Sequence, residues 1–242
     1  MEMSEFRGLF TDIFQKNGLE AYIREEYIEK FYELTNLMME TNRVMNITAL
    51  TTEDKIIPLH YADSVRAAEW IPQNAYVADI GCGGGFPILP LSIVRPDLKI
   101  VGIDSTAKKV RYVNTTAEKL GLSAIAVAGR AEDVNMQDEY RETFDVVISR
   151  AVARLNILDE LCIPYVKIGG KFVAMKGAAG QEELVEAKKG IEKLGGTVNQ
   201  IQNYELFTTD STEKRAIIEI QKIQSTPKEF PRGFGAIKKK PL

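Results

Sequence analysis

The sequence contains little cysteine and histidine. Of 242 residues, only Cys82 and Cys162 are cysteines and only His60 is a histidine. Two cysteines cannot supply a disulfide framework, so a reducing compartment is expected. A single histidine without paired Cys/His spacing supplies no ligand set for structural zinc, and we predict no metal site.

Long uncharged segments are also absent. No stretch approaches the ~20 apolar residues that cross a bilayer, and residues 1–14 carry acidic side chains without a long apolar run. We therefore expect a cytoplasmic protein with no membrane span. What is present, 45% hydrophobic and 27% charged residues, is typical of a globular chain with one substantial core. We expect a monomer.

Charge is unevenly distributed along the chain. The net charge is -3, which argues against a protein coated by nucleic acid over its whole surface. Residues 222–242 nevertheless carry six bases and one acid, whereas residues 1–40 carry four bases and nine acids. A basic tail can contact phosphate, although a short lysine run at a chain end is more often a solvated, frayed terminus.

The apolar pattern changes near residue 73. Helical spacing predicts helices over residues 4–15 and 24–39, and a third helical stretch from Thr51 or Thr52 to Trp70. Beyond it, helical patterns alternate with seven short apolar runs that predict strands: Ala75–Ile80, Lys99–Asp104, Ala124–Ala128, Phe144–Ser149, Lys171–Met175, Thr197–Tyr204 and Ala216–Ile223.

This alternation predicts an α/β fold with a parallel, doubly wound sheet, because parallel strands need crossovers long enough to hold a helix. The last two strands have no helix between them and should form an antiparallel hairpin at one edge. We predict an N-terminal helical extension (1–72), an α/β core (73–224) and a basic C-terminal tail (225–242).

A glycine-rich loop follows the first predicted strand, within the segment Asp79–Pro87. Such a loop permits tight turns and close approach of a ligand to the backbone. Asp104 ends the second strand, where a carboxylate can accept hydrogen bonds from a ribose diol. Starting from Gly81 and Gly83, the third glycine of a dinucleotide fingerprint would fall on Phe86, and no Gly-Lys-Ser/Thr follows. The pattern indicates an adenosine-sized ligand without a pyrophosphate.

What remains is Gly-x-Gly-x-Gly preceded by Asp79, which resembles the S-adenosylmethionine-binding motif of class I methyltransferases. An acid before the loop suits a ligand with an amino group and a sulfonium centre, whereas it would repel a pyrophosphate. Seven strands ending in a hairpin resemble that Rossmann-like superfamily too.

Matches spread over nearly the whole chain narrow the resemblance to the ribosomal RNA small-subunit methyltransferase G family, also called glucose-inhibited division protein B. The matching segments are 42–48, 60–64, 79–87, 104–105 with 108–109, 129–132, 149–153, 176–177, 230–232 and 238–242. The chain departs from the usual family pattern at Thr41, Cys82 and Ile88 and over residues 233–237.

The resemblance implies methyl transfer from S-adenosylmethionine to N7 of a loop guanine in 16S rRNA, as free RNA or in the 30S particle. Arg150 and Asp63 are its positioning candidates. The implied cofactor-binding residues are Asp79, Gly81, Gly83, Gly85, Phe86, Asp104, Ser105, Ala131, Glu132 and Arg150. The candidate RNA-binding residues are Arg43, Lys108, Lys109, Arg111, Lys176, Arg232, Lys238, Lys239 and Lys240.

Methylation at guanine N7 needs no general base and no nucleophilic thiolate, and the sequence has no motif for either. Guanine N7 offers an in-plane lone pair, so no general base is required, and catalysis can come from alignment and desolvation. The segment after the fourth strand is Ser-Arg-Ala-Val rather than the Asn/Asp-Pro-Pro-Tyr of amino methyltransferases. Cys162 lacks the Pro-Cys or Thr-Cys context of thiolate-dependent methyltransferases and is expected to be buried.

Several alternatives stay open. A same-fold methyltransferase acting on a small molecule or a protein, or a noncatalytic module that binds S-adenosylmethionine or RNA, fits the cofactor motif; a dehydrogenase fits it less well. Arg150 can be a salt bridge that closes the sheet end, and a lone histidine such as His60 is more often structural than substrate-binding.

Overall fold

The computed structural model describes residues 1–242, whose central element is a seven-stranded sheet in the order β3-β2-β1-β4-β5-β7-β6. The first five strands run parallel. The strands are β1 Tyr76–Ile80, β2 Lys99–Asp104, β3 Ile125–Ala128, β4 Phe144–Arg150, β5 Val166–Gly177, β6 Gly196–Phe207 and β7 Thr212–Lys222.

The hairpin of β6 and β7 completes the sheet. β7 pairs antiparallel with both β5 and β6, so the strand that opposes the others lies second from the edge and β6 forms the edge itself. The predicted doubly wound sheet with seven strands and a terminal hairpin is confirmed.

Helices cover both faces of the sheet. They are α1 Met3–Lys16, α2 Glu25–Asn42, α3 Glu53–Ile56, α4 Asp63–Arg66, α5 Ile88–Val94, α6 Ala107–Lys119, α7 Ala131–Val134, α8 Leu155–Cys162, α9 Gly180–Lys193 and α10 Phe234–Lys239. A turn of π-helix over Ile57–Ala62 joins α3 to α4. Thr52 precedes α3 as its N-cap, but its side chain makes no capping hydrogen bond. None of these helices combines the length and apolarity that a membrane crossing demands.

The N-terminal helices share one apolar core with a face of the sheet. Phe10 and Phe14 of α1 stack with ring centroids 3.8 Å apart, and Phe31 of α2 packs against both rings. The same cluster of buried side chains contains Val77 of β1 and Val146 of β4. The division of the chain at residues 72 and 224 stays a prediction.

The hairpin also holds the N-terminal helices. The Asn17 amide donates to the Phe207 carbonyl over 2.9 Å, and the Phe207 amide donates to Asn17 Oδ1 over 2.9 Å. Since Phe207 ends β6, the helical extension is fastened to the edge of the sheet. The opposite face of the sheet packs against α8, α9 and the C-terminal segment through a second core that includes Ile237.

Candidate functional site

The glycine loop turns sharply between β1 and α5. Gly81, Gly83 and Gly85 have φ angles of 77°, 52° and 89°, in the left-handed region that side chains disfavour. At Gly81 a Cβ would also collide with the side chain of Val152, which follows β4. The left-handed φ and this close approach together require glycine at position 81.

A cavity of about 450 Å³ opens above this loop, at the carboxyl ends of β1, β2 and β4. This is the edge of an open α/β sheet where ligands bind. The cavity brings together many of the residues predicted from sequence, namely Gly81, Gly83, Phe86, Asp104, Ser105, Lys109, Ala131, Glu132 and Arg150. Of the positioning and cofactor-binding candidates, Asp63, Asp79 and Gly85 lie outside its wall.

Asp104 is fixed at the end of β2 by two backbone amides. Gly83 N–H donates to its Oδ2 over 2.9 Å, and Thr106 N–H donates to its Oδ1 over 2.8 Å. Each carboxylate oxygen has a further lone pair, and the side chain lines the cavity. The geometry suits a carboxylate that accepts hydrogen bonds from the two hydroxyls of a ribose.

Asp79 is fully buried beneath the loop, and neither carboxylate oxygen has a hydrogen-bond partner. Burial raises the pKa of this carboxyl to about 8; the nearby Arg150 opposes the rise and Asp104 adds to it. A buried carboxyl of this kind is stabilised in its charged form by a cation placed nearby. The residues present therefore fit a ligand that carries positive charge.

Arg150 reaches from the end of β4 into the irregular helix opposite. Its Nη1 donates to the Asp63 carboxylate over 2.9 Å and to the Leu59 carbonyl over 2.8 Å, and its Nη2 donates to His60 Nδ1 over 3.1 Å. The guanidinium also lies 5.8 Å from the centroid of the Phe86 ring. Arg150 thus both closes the sheet end through a buried ion pair and lines the cavity.

His60 also forms part of the cavity wall. Its ring stacks on Phe86 with centroids 4.1 Å apart and planes 8° apart, and its Nε2 lies 2.7 Å from Thr48 Oγ1. Burial, aided by the Arg150 charge, lowers the pKa of His60 to about 3. The imidazole is therefore neutral at physiological pH, and its place in a π-helical turn is typical of functional positions.

Known proteins with a similar sequence match the chain over nearly its full length. A family model described as rRNA small subunit methyltransferase G matches residues 27–212. The chain belongs to the rRNA small subunit methyltransferase G family. The resemblance inferred from the sequence is confirmed.

Two relatives of this methyltransferase G family show the extent of the match. The ribosomal RNA small subunit methyltransferase G of Brevibacillus brevis is 42% identical over 96% of this chain and 98% of its own. That of Clostridium novyi is 39% identical over 97% of this chain and 98% of its own.

Among solved structures, a TehB-like SAM-dependent methyltransferase from Corynebacterium glutamicum superposes with a TM-score of 0.51. The match has 15% identity and covers 80% of this chain and 98% of that one. This likeness concerns the fold, and the predicted class I methyltransferase fold is confirmed.

The methyltransferase G site contains residues that sequence reasoning missed. Tyr204 Oη donates to Asp63 Oδ1 over 3.1 Å, and Arg215 Nε lies 3.5 Å from the same oxygen. Both come from the terminal hairpin, 141 residues beyond Asp63 in the case of Tyr204. No local pattern marks them, since only the folded sheet brings them to the carboxylate.

The C-terminal segment reaches the cavity beside Glu132, a predicted cofactor-binding residue. The Phe234 amide donates to Glu132 Oε1 over 3.3 Å, and Phe234 lines the cavity. Arg232 holds this segment, because its guanidinium pairs at 2.6 Å with the buried Glu160 carboxylate. The sequence placed Glu132 in the site but contained no signal for Phe234.

The predicted RNA-binding residues fall into two groups. Lys176 is buried, 2.7 Å from Glu183, and donates to the Ala153 carbonyl; Arg232 is occupied by Glu160. Neither charge is free for phosphate. The remaining basic side chains lie at or near the surface: Arg43, Lys108, Lys109, Arg111, Lys238, Lys239 and Lys240.

Cys162 is buried in the second core, as predicted, and burial raises the pKa of its thiol well above the usual value. Cys82 is also buried, beside the cavity, and the pKa of its thiol is raised for the same reason. Neither thiol is suited to act as a nucleophile, because the thiolate is the reactive form.

Proposed function

We propose that the protein transfers a methyl group from S-adenosylmethionine to N7 of a guanine in 16S rRNA. The observation that carries this proposal is the composition of the cavity wall, which contains both the carboxylate of Asp104 and the neutral His60 ring stacked on Phe86. The carboxylate suits a ribose diol, and the stacked rings suit a flat, uncharged base. The relatives over the whole chain are named as ribosomal RNA small subunit methyltransferases.

The residues of the cavity fit the cofactor in size and charge. Asp104 would hold the ribose, and Ala131 and Glu132 would hold the adenine. The backbone of Gly81 and Gly83 would hold the amino-acid portion of the cofactor. Asp79, buried below the loop, would balance its positive charge. When bound, S-adenosylmethionine supplies an electrophilic methyl group on a sulfonium sulfur.

The protein's own residues position the reacting groups rather than exchange protons. Guanine N7 already carries a lone pair, so the base needs no deprotonation. His60 is neutral with both nitrogens engaged, and Arg150 is held by Asp63, so neither serves as a general base. Their rigid contacts keep the cavity wall in place, and alignment with exclusion of water supplies the rate enhancement.

The substrate is 16S rRNA, as free RNA or within the 30S particle, and the enzyme acts as a cytoplasmic monomer. Phosphates of the RNA are contacted by the accessible basic residues Arg43, Lys108, Lys109, Arg111 and Lys238–Lys240. Lys109 lines the cofactor cavity itself. This position connects the basic surface to the place of methyl transfer.

Transfer of radiolabelled methyl from S-adenosylmethionine to 16S rRNA and to 30S particles tests the proposal. The product nucleosides are resolved by mass spectrometry, and we expect the label in 7-methylguanosine. Binding of S-adenosylmethionine with no label on either substrate would replace the RNA assignment by a small-molecule or protein substrate, or by a noncatalytic binding module. Failure to bind S-adenosylmethionine at all would overturn the cofactor assignment as well.

A further inference from the structure

A second cavity, of about 470 Å³, lies between the C-terminal end of α2 and the helix α6. The loop of residues 43–48 separates it from the cofactor cavity: Val44 and Met45 line the second cavity, while Ile47 and Thr48 line the first. We propose that this second cavity binds a nucleotide that flanks the target guanine, through its phosphate and its base. The inference rests on the proposed function.

The charge of the cavity is suited to phosphate. Lys108, Arg111 and Lys119 line it, and Glu40 is the single acidic residue of its wall. None of the three basic side chains forms an ion pair with a carboxylate, whereas the exposed Lys55 lies 2.9 Å from Asp210. Unpaired cations grouped on one surface attract the RNA backbone and release its counterions.

Apolar groups of the same cavity are suited to a base. Val44 is 88% exposed at the tip of the loop, and Met45 and Tyr112 also line the cavity. The exposed Val44 side chain offers apolar contact to the face of an unpaired base, and the neighbouring cations can bind the phosphate of the same nucleotide. A peptide of acidic residues would leave this apolar surface without a partner.

The loop that carries Val44 is held by its own hydrogen bonds. Asn42 Oδ1 accepts from the amides of Ile47 and Thr48 over 2.7 and 3.1 Å, and Asn42 Nδ2 donates to the Thr48 carbonyl over 2.9 Å. Val44 therefore projects from a fixed turn between the two cavities. An RNA strand that crosses this turn places neighbouring nucleotides on opposite sides of it.

The basic residues of α6 extend away from the cofactor cavity. From Lys108 to Lys119 the helix advances about 16 Å at 1.5 Å per residue, which is long enough for more than one nucleotide. Lys109 begins this track, since it lines the cofactor cavity. The second cavity therefore continues the substrate site instead of forming a separate one.

A triple variant, Lys108→Ala with Arg111→Ala and Lys119→Ala, tests the charge. We expect KM for the 16S rRNA or 30S substrate to rise by about tenfold to a hundredfold. The kcat and the Kd for S-adenosylmethionine should stay as in the wild type, because the substitutions lie outside the cofactor cavity. The slope of log KM against log salt concentration should become less steep by about one for each phosphate that the variant no longer neutralises.

The matched control removes the same number of charges elsewhere: Lys99→Ala with Lys188→Ala and Lys189→Ala, all exposed and remote from both cavities. Its KM and salt dependence should equal those of the wild type. If the two triple variants have the same KM while the wild type methylates RNA, the second cavity is not a nucleotide site and the proposed function stands. If the wild type methylates no RNA, the proposed function itself fails.

A photo-crosslinking amino acid in place of Val44 tests the identity of the occupant. On 30S particles we expect crosslinks to 16S rRNA within a few nucleotides of the methylated guanine. Crosslinks to a ribosomal protein would assign the cavity to a protein partner. Crosslinks only to distant RNA, or none at all, would likewise overturn the proposal.

Discussion

Arg150 Nη2 donates a hydrogen bond to Nδ1 of His60 over 3.1 Å. Because arginine has no acceptor, this contact requires an unprotonated Nδ1 and places the single imidazole proton on Nε2. Nε2 therefore donates to Thr48 Oγ1 over 2.7 Å. The hydrogen bond from Arg150 therefore defines the tautomer of His60. This hydrogen bond can form only while the imidazole is neutral.

His60 should make stability depend on pH. Its pKa is 6.5 in the unfolded chain and about 3 in the folded protein, so between these values only the unfolded chain binds the proton. Its contribution to stability is complete above pH 6.5 and decreases below it, by up to about 1.4 kcal/mol per pH unit. Urea unfolding at pH 7.5 and 5 should show a larger loss for the wild type than for His60→Gln. Equal losses would contradict the buried, neutral assignment.

Removing only one charge of the Asp63–Arg150 ion pair should strongly destabilise the protein. Their side chains are only 8% and 12% exposed, so Asp63→Asn leaves a buried guanidinium without a counterion. We expect the free energy of unfolding to fall by about 3–5 kcal/mol in chemical denaturation. The double variant Asp63→Asn with Arg150→Met removes both charges and should lose less. A double variant as unstable as the single one would refute the electrostatic explanation.

Asp104 should determine cofactor affinity. Asp104→Ala removes charge-assisted hydrogen bonds to the ribose, each worth ~1.5–3 kcal/mol, and also frees the Gly83 amide that shapes the loop. We expect Kd for S-adenosylmethionine to rise at least about tenfold in isothermal titration calorimetry. The exposed Asp138→Ala on the surface is the control and should bind as the wild type does. Unchanged affinity in Asp104→Ala would remove this residue from the site.

Asp79 should couple cofactor binding to proton release. Its pKa is raised from 3.8 to about 8, so the free protein holds this proton at pH 7. A bound cation favours the charged carboxylate, and the proton leaves. Affinity should therefore rise with pH until about pH 8 and then level off.

Calorimetry at pH 7 in two buffers of different ionisation enthalpy measures the released proton. We expect up to one proton for the wild type and none for Asp79→Asn. The same binding enthalpy in both buffers for the wild type would show that Asp79 does not respond to the cofactor.

The parts of the fold that sequence predicted have local causes. The strands and the glycine loop follow from apolar runs, turn residues and spacing within a few residues of each other. The predicted start of β5 was late because Gly169 and Gly170 interrupt the apolar run, yet the strand begins at Val166. The hairpin strands were also longer than predicted, since polar residues on an exposed face hide the strand pattern.

The parts that sequence could not predict depend on tertiary packing. Tyr204 and Arg215 reach Asp63 only because β7 inserts between β5 and β6. Lysine is usually exposed, but Lys176 lies buried at the end of a central strand, where the Glu183 carboxylate balances its charge. The stacking of the His60 ring on Phe86 could not be predicted either, because it depends on the π-helical turn that carries His60.

The hydrogen bonds between Asn17 and Phe207 also affect how the chain matures during translation. The two residues are 190 positions apart, an interval that a ribosome takes roughly 10 to 40 s to synthesise at about 5–20 residues per second. During that time α1 lacks the strand to which Asn17 is hydrogen-bonded in the folded protein. The N-terminal helices thus reach their final attachment to the sheet only after the last strands have been made, and apolar surface exposed before then favours aggregation.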